Sequence, residues 1–292
     1  MKTLIIIAGP TASGKTQLSI DLAKKLNTEI VSCDSRQFFK EISIGTAKPT
    51  ESQLEEVKHH FIGNISIQDK YSAGQYEKDA IQLLDELFLK NESVVLTGGS
   101  GLYMDAVMYG LDGIPKVENA ARNELNALFN TEGIVVLQNM LEKLDPEYYK
   151  TVDLNNPHRL IRALEIILST GIPFSEQRLG EKKERDFKTI LIGLDVEREQ
   201  LYNRINHRVD EMMEDGLLDE VKSILDFKFL NALQTVGYKE LFDYLDKKMD
   251  METAVDLIKQ NTRRFAKRQM TWLRRYNDIL WDKPENVLDR FK

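Results

Sequence analysis

The chain has 292 residues, of which 42% are hydrophobic and 30% charged, and its formal net charge is −7. That length points to two domains or one large domain with an insertion, and the composition excludes a disordered or collagen-like chain. The acidic total excludes a surface that binds nucleic acid all over, and a single cysteine, Cys33, excludes an internal disulfide and a Cys-rich zinc site.

Thr3 to Ala8 is an apolar run rich in β-branched residues, which predicts a strand buried on both faces. It is far shorter than the roughly 18 residues that a membrane span needs. It also runs straight into glycines and a lysine, with no cleavage site of small residues, so no signal peptide is expected and the expected location is the cytoplasm. Thr16 to Leu26 places Leu18, Leu22 and Leu26 four residues apart, as in a helix packed on that strand. Further strands are expected at Glu29 to Ser32, Ser93 to Thr97 and Thr189 to Asp195. This alternation predicts an α/β fold, a P-loop NTPase-like parallel sheet flanked by helices.

His59 and His60 are adjacent, unlike metal ligands on one helical face, and read as loop groups. From Gly113 to about Leu154 the pattern changes to short polar helices, Ala120 to Phe129 and Val135 to Leu144, which predicts a small all-helical insertion. The expected division is therefore a core over residues 1–112, an insertion over 113–154, and the rest of the core over 155–292. Ser175 to Lys188 reads as a solvated polar stretch. From Arg198 to Tyr276 the pattern is helical, and residues beyond Asp282 carry weak signals. Within that helical part, Lys259 to Arg275 holds seven basic residues and no acidic one. Solvated faces normally mix both signs, so a polyanion is the expected partner. A helix there is expected to put Ile258, Phe265, Trp272 and Tyr276 near one apolar face.

Gly9-Pro10-Thr11-Ala12-Ser13-Gly14-Lys15-Thr16 fits G-x-x-x-x-G-K-[ST] without a gap, between a strand and a helix. Its backbone amides and the helix N-terminus attract an anion, Lys15 adds a full charge, and the Thr16 hydroxyl is a magnesium ligand of the usual type. A nucleotide is the default occupant, but any diphosphate leaving group suits the same chemistry. Asp34-Ser35-Arg36-Gln37 follows the next strand, where ligand crevices of open α/β sheets lie. Asp34 therefore reads either as a residue of the crevice or as a helix cap. Thr97-Gly98-Gly99-Ser100-Gly101-Leu102-Tyr103 follows a third strand and lacks the acid that a Walker B element of an ATPase places there.

Together these segments resemble the tRNA dimethylallyltransferase (tRNA isopentenyltransferase) family in its bacterial form. The resemblance runs through Gly9 to Thr16, Asp34 to Gln37, Ile44-Gly45-Thr46-Ala47-Lys48-Pro49, Gly98 to Tyr103, His158-Arg159-Leu160-Ile161-Arg162-Ala163-Leu164-Glu165, Val236-Gly237-Tyr238-Lys239-Glu240 and Lys267-Arg268-Gln269-Met270-Thr271-Trp272-Leu273-Arg274. It implies transfer of a dimethylallyl group from dimethylallyl diphosphate to the exocyclic amine of the adenine 3′ of the anticodon, by a monomer. The insertion would then grip the anticodon stem-loop of tRNA. Gly9, Thr11, Ala12, Ser13, Gly14, Lys15 and Thr16 would hold the leaving diphosphate, with Mg²⁺ on Thr16. Asp34 would take the amine proton, Ser100 would help to position Asp34, and Arg208, more than Arg204, would stabilise the leaving charge. The tRNA contacts implied are Ser35, Arg36, Gln37 at the adenine edge, Arg122, His158, Arg159, Arg162, Gly237, Tyr238, Lys239, Lys267, Arg268, Gln269, Trp272 and Arg274. The chain departs from the family pattern at Ser43 and Gly63, where aspartate is common, and at Ser100, where threonine is usual.

Two other readings remain open on the residues alone. A small-molecule or nucleoside kinase explains the phosphate loop but gives the basic helix no task. A non-catalytic RNA-binding switch explains that helix but gives Asp34 none.

Overall fold

Leu4 to Ala8 are each no more than 1% exposed, so no face of this strand meets solvent. The reason lies in a computed structural model, which describes residues 2–115, 119–178 and 180–291. Among the described residues, β1 (Thr3–Ala8), β2 (Ile30–Ser32), β3 (His59–His60), β4 (Ser93–Gly98), β5 (Lys188–Leu194) and β6 (Leu280–Asp282) form one sheet in the order β3-β2-β4-β1-β5-β6. Every pairing is parallel, and β1 lies between β4 and β5, with Ile5 opposite Val95 and Ile190. Parallel sheets must be covered on both faces, which explains the unbroken apolar run. The expected strands agree to within a residue or so. The edge strands β3 and β6 were not expected: two or three residues carry no periodicity.

The chain divides into two compact units, residues 1–108 with 184–292, and residues 109–183. In the first unit, α1 (Lys15–Leu26) buries Leu18 and Leu22 against Ile5, Ile7 and Val95, and is followed by α2 (Glu51–Glu56), α3 (Ala73–Leu87) and α4 (Gly101–Tyr109). The second unit is helical: α5 (Asn119–Glu132), α6 (Ile134–Leu144), α7 (Pro146–Tyr149), α8 (Pro157–Thr170) and α9 (Phe174–Gln177). It reaches well beyond the expected end at residue 154. The apolar face of α8, with Leu160, Ala163, Leu164 and Ile167, packs with Leu125 of α5 and with Leu137 and Leu141 of α6, so α8 belongs to the insertion.

The first unit resumes with α10 (Arg198–Glu214), α11 (Leu217–Ser223), α12 (Tyr238–Leu245), α13 (Met251–Leu273) and α14 (Pro284–Val287). Val209, Leu217, Val221, Tyr238, Leu241, Ala254 and Ile258 form a second core, which fixes α10 to α13 as one layer. Two short 3₁₀ turns, Leu225–Phe227 and Asn231–Leu233, interrupt the helical pattern before α12. No helix among the described residues is long and apolar enough to cross a membrane.

Candidate active site

Because the strands are parallel, the carboxyl ends of β1, β2 and β4 meet at one edge of the sheet. The phosphate loop leaves β1, Cys33-Asp34 leaves β2, and Gly99-Ser100 leaves β4. All three segments, with α10, α12 and α13, line one cavity of about 840 Å³ in the first unit.

In the phosphate loop Ala12 (φ 63°) and Gly14 (φ 91°) are both left-handed. Alternating right- and left-handed residues turn successive amides inward, which makes a nest for an anion. A Cβ on Gly9 would lie 2.7 Å from the Ser13 hydroxyl, so only glycine closes this turn. The first turn of α1 holds no acidic residue to compete with an anion for the positive end of the helix. Lys15 Nζ donates to the carbonyl of Pro10 at 2.6 Å. Burial pushes the Lys15 ammonium down to about 8; Asp34 opposes this shift and Arg208 adds to it. Those two groups thus lie in the electrostatic reach of Lys15. Arg208 lines the cavity, whereas Arg204 is exposed and does not. Burial lowers the Arg208 pKa, against the pull of Glu211.

Asp34 Oδ1 accepts from the backbone of Arg36 at 3.0 Å, so one oxygen supports the turn that follows β2. No helix starts at this point, so the cap alternative does not describe it. Ser100 was expected to act on Asp34 itself. Instead, Ser100 Oγ accepts from the Ser35 backbone at 3.0 Å and lies 3.1 Å from the Ser35 hydroxyl. It positions the residue beside Asp34, because the β4 loop approaches the turn one residue later. Arg36 donates to the carbonyls of Asn231 and Ala232, at 2.9 and 3.0 Å, which ties this turn to the segment before α12.

Helix α13 is anchored in the same place. Gln269 accepts from the Thr11 backbone at 2.8 Å and donates to the Gly99 carbonyl at 3.0 Å. It is largely buried and bridges two loops, while it also lines the cavity. A Cβ on Gly99 would fall 2.1 Å from Gln269 Nε2, and one on Gly101 would fall 2.2 Å from Trp272 Nε1. The two glycines therefore admit α13. Trp272 donates to the Tyr276 hydroxyl at 3.1 Å, and Arg275 stacks on its ring at 4.4 Å. Phe265 differs from the expected apolar stripe: it is 39% exposed and lines the cavity, while Ile258 and Ala266 are buried.

The basic residues divide in a physical way. Lys259 pairs with Asp210 at 2.6 Å, and Arg263 donates to Asn206 at 2.5 Å, so both hold α13 to α10. Lys267, Arg268, Arg274 and Arg275 are exposed, and Arg268 also lines the cavity, as does Lys239. Tyr238 is fully buried and donates to Glu220 at 2.6 Å, which removes it from the expected RNA contacts. Gly237 is also buried; it adopts φ 95° and donates to Glu240 at 2.9 Å to start α12. In the second unit Arg122 and Arg162 both bind the buried carboxylate of Glu165, which burial raises and the two arginines lower to a net downward shift. Their first task is thus to neutralise that charge, while His158 and Arg159 are exposed. Sequence reasoning missed Tyr103, Met212 and Phe265 in the cavity wall, and Glu220 behind it.

Among the described residues no group of three or more His, Cys, Asp or Glu side chains is placed to hold a metal ion. The hydroxyl of Thr16 beside the phosphate loop suits a magnesium ion that is ligated mainly by phosphate oxygens and water.

Residues 37–276 match the IPP transferase family. The chain is 55% identical over 290 residues to the tRNA dimethylallyltransferase of Christiangramia forsetii, covering 98% of this chain and 96% of that protein. It is 50% identical over 285 residues to tRNA dimethylallyltransferase 1 of Bacteroides thetaiotaomicron, covering 98% and 92%. Among solved structures, the full-length tRNA isopentenylpyrophosphate transferase of Bacillus halodurans is similar with a TM-score of 0.71 and 39% identity, over 97% of this chain and 90% of the other. A eukaryotic dimethylallyltransferase acting on tRNA is similar with a TM-score of 0.78 and 27% identity, over 97% and 74%. A phosphate loop, a carboxylate beside it and a basic helix over both are thus found in a chain whose family is clear: it belongs to the IPP transferases.

Proposed function

We propose that this chain transfers a dimethylallyl group from dimethylallyl diphosphate to the N6 amine of the adenine 3′ of the anticodon in tRNA, and releases diphosphate. The observation that carries this reading is the placement of Lys15, Arg208 and Asp34 in one cavity beside the exposed cations of α13. The relatives named tRNA dimethylallyltransferase support the same reaction. A kinase using the loop for ATP is not favoured, because the basic helix would then have no task. tRNA as substrate supports the cytoplasm.

The adenine amine is a poor nucleophile, because its lone pair is delocalised into the ring. Its proton must leave as the N6–carbon bond forms, and Asp34 accepts it. The carbon–oxygen bond of the donor breaks with its electron pair on the diphosphate. Lys15, the loop amides and Arg208 stabilise that charge. A magnesium ion on Thr16, when bound, spreads the same charge. The base must leave its stack to reach the cavity, as other base-modifying enzymes require. Titration calorimetry with ATP and with dimethylallyl diphosphate tests the choice of ligand: the second alone is expected to bind in the presence of RNA.

The lowered Lys15 pKa gives a pH dependence with a definite sign. The free site holds a charged Lys15 below about pH 8, and a bound diphosphate raises that pKa again. Affinity for dimethylallyl diphosphate is therefore level from about pH 7, where the diphosphate is itself fully ionised, to about pH 8, and falls as pH rises further, with proton uptake on binding. In Lys15→Arg, which stays charged, the fall disappears; a fall of equal steepness there contradicts the assignment.

The exposed cations of α13 give a salt dependence. Each phosphate contact releases counterions, so log affinity falls with log salt by about 0.7 to 0.9 per contact. Lys267→Ala with Arg268→Ala is expected to weaken tRNA binding and flatten the slope by roughly one to two units. An unchanged slope in the folded variant moves the RNA elsewhere, first to His158 and Arg159.

A further inference from the structure

Phe265 has no part in the chemistry proposed above, and its place on α13 is not that of a core residue. One face of α13 lines the cavity through Ile258, Asn261, Thr262, Gln269 and Trp272, with Phe265 and Arg268 among them. Steps of three and four residues make this a single stripe. Ile258 and Gln269 are buried, and Asn261, Thr262 and Trp272 are half-buried. Phe265 and Arg268 are the only exposed members of the stripe, so they stand where the cavity opens to solvent.

The two side chains also meet. The Arg268 guanidinium lies over the Phe265 ring, 5.7 Å from its centroid, and Phe265 remains 39% exposed. Ala266, the next residue, is buried, so the core holds the backbone at this point while the ring faces outward. Arg264, Lys267, Arg274 and Arg275 are exposed around it, with no acidic residue from Lys259 to Arg275. A planar apolar ring that carries a cation, set in a field of one sign, suits single-stranded RNA: the phosphates meet the cations and a base covers the ring. The allyl group of the donor is uncharged and needs shelter from water, so the buried part of the wall serves it better than the exposed rim.

We infer that Phe265 is a stacking platform for a base that adjoins the flipped adenine in the RNA loop. This rests on the function proposed above. When the adenine leaves its stack, each neighbouring base loses a partner, which is part of the cost of flipping. The ring replaces that partner for one of them and so lowers the cost of bringing the adenine into the cavity. Stacking reads no hydrogen-bond pattern, so Phe265 adds affinity for an open loop whatever that neighbouring base is.

The test compares Phe265→Ala, Phe265→Leu and Phe265→Tyr in binding an anticodon stem-loop RNA over a series of salt concentrations. Alanine and leucine are each expected to weaken binding by roughly 5- to 100-fold, the range for one base on an aromatic ring, and tyrosine to restore it. The slope of log affinity against log salt is expected to stay as in the wild type, since no charge is removed. Two further RNAs lack the base 5′ or 3′ of the target adenosine. One of them is expected to bind the wild type more weakly than the complete RNA does, and to bind Phe265→Ala no more weakly than the wild type. Leucine takes the place of alanine if that variant does not fold. Binding restored by leucine would mean ordinary packing, and a slope flattened by about one unit would mean that the ring only steadies Arg268 on a phosphate. A loss confined to dimethylallyl diphosphate would place the ring against the allyl group, and equal losses on all three RNAs would leave no base on it. Each of these results overturns the inference. A wild-type protein that binds none of the RNAs contradicts the underlying function instead.

Discussion

Asp34→Asn is expected to lower the single-turnover rate of prenyl transfer by roughly 10²- to 10⁴-fold, the range for a lost general base. The side chain keeps its size, and its amide oxygen still accepts from the Arg36 backbone, so the turn after β2 remains. Affinity for tRNA and for dimethylallyl diphosphate is therefore expected to stay near the wild-type value, and the loss appears in the chemical step alone. Rapid quench with enzyme in excess over RNA separates that step from binding and release. A rate equal to the wild type returns Asp34 to a purely structural role in its turn.

Lys15→Ala is expected to act on two observables. Removing one preorganised charge from a developing anion reduces the rate by roughly 10²- to 10³-fold. Pyrophosphate binding weakens as well, because diphosphate is charged before the reaction and after it. The bond from Lys15 to the Pro10 carbonyl is also lost, but the left-handed geometry at Ala12 and Gly14 belongs to the backbone and remains. Asp34→Asn and Lys15→Ala thus differ in kind. A Lys15→Ala enzyme that binds pyrophosphate as tightly as the wild type shows that the loop holds something else.

The elements that carry the chemistry are legible in the sequence because they are local. β1, the loop and α1 are contiguous, so an apolar run, two glycines and a leucine spacing define them without any long-range knowledge. Asp34 is legible for the same reason, as the second residue after β2. What the sequence does not show are the contacts made across the chain. Gln269 looks like a polar residue on a basic helix, and its partners lie 258 and 170 positions away. Tyr238 presents a hydroxyl that suits RNA, but Glu220 and Gly45 are the groups that occupy it. Arg122 and Arg162 read as cations for a phosphate backbone until Glu165 is seen to be buried between them. The end of the insertion was placed too early because α8 has an apolar stripe that fits either unit, and only packing against α5 and α6 decides between them.

The most direct test of the account is the product formed from tRNA. The protein is incubated with unmodified tRNA and magnesium, and with either dimethylallyl diphosphate or ATP. The tRNA is then digested and its nucleosides are weighed by mass spectrometry. The expected result is an adenosine heavier by one dimethylallyl group, with equimolar diphosphate released, only when dimethylallyl diphosphate and tRNA are both present. A phosphorylated product from ATP, with no prenylated adenosine under either condition, would contradict the account and favour a kinase.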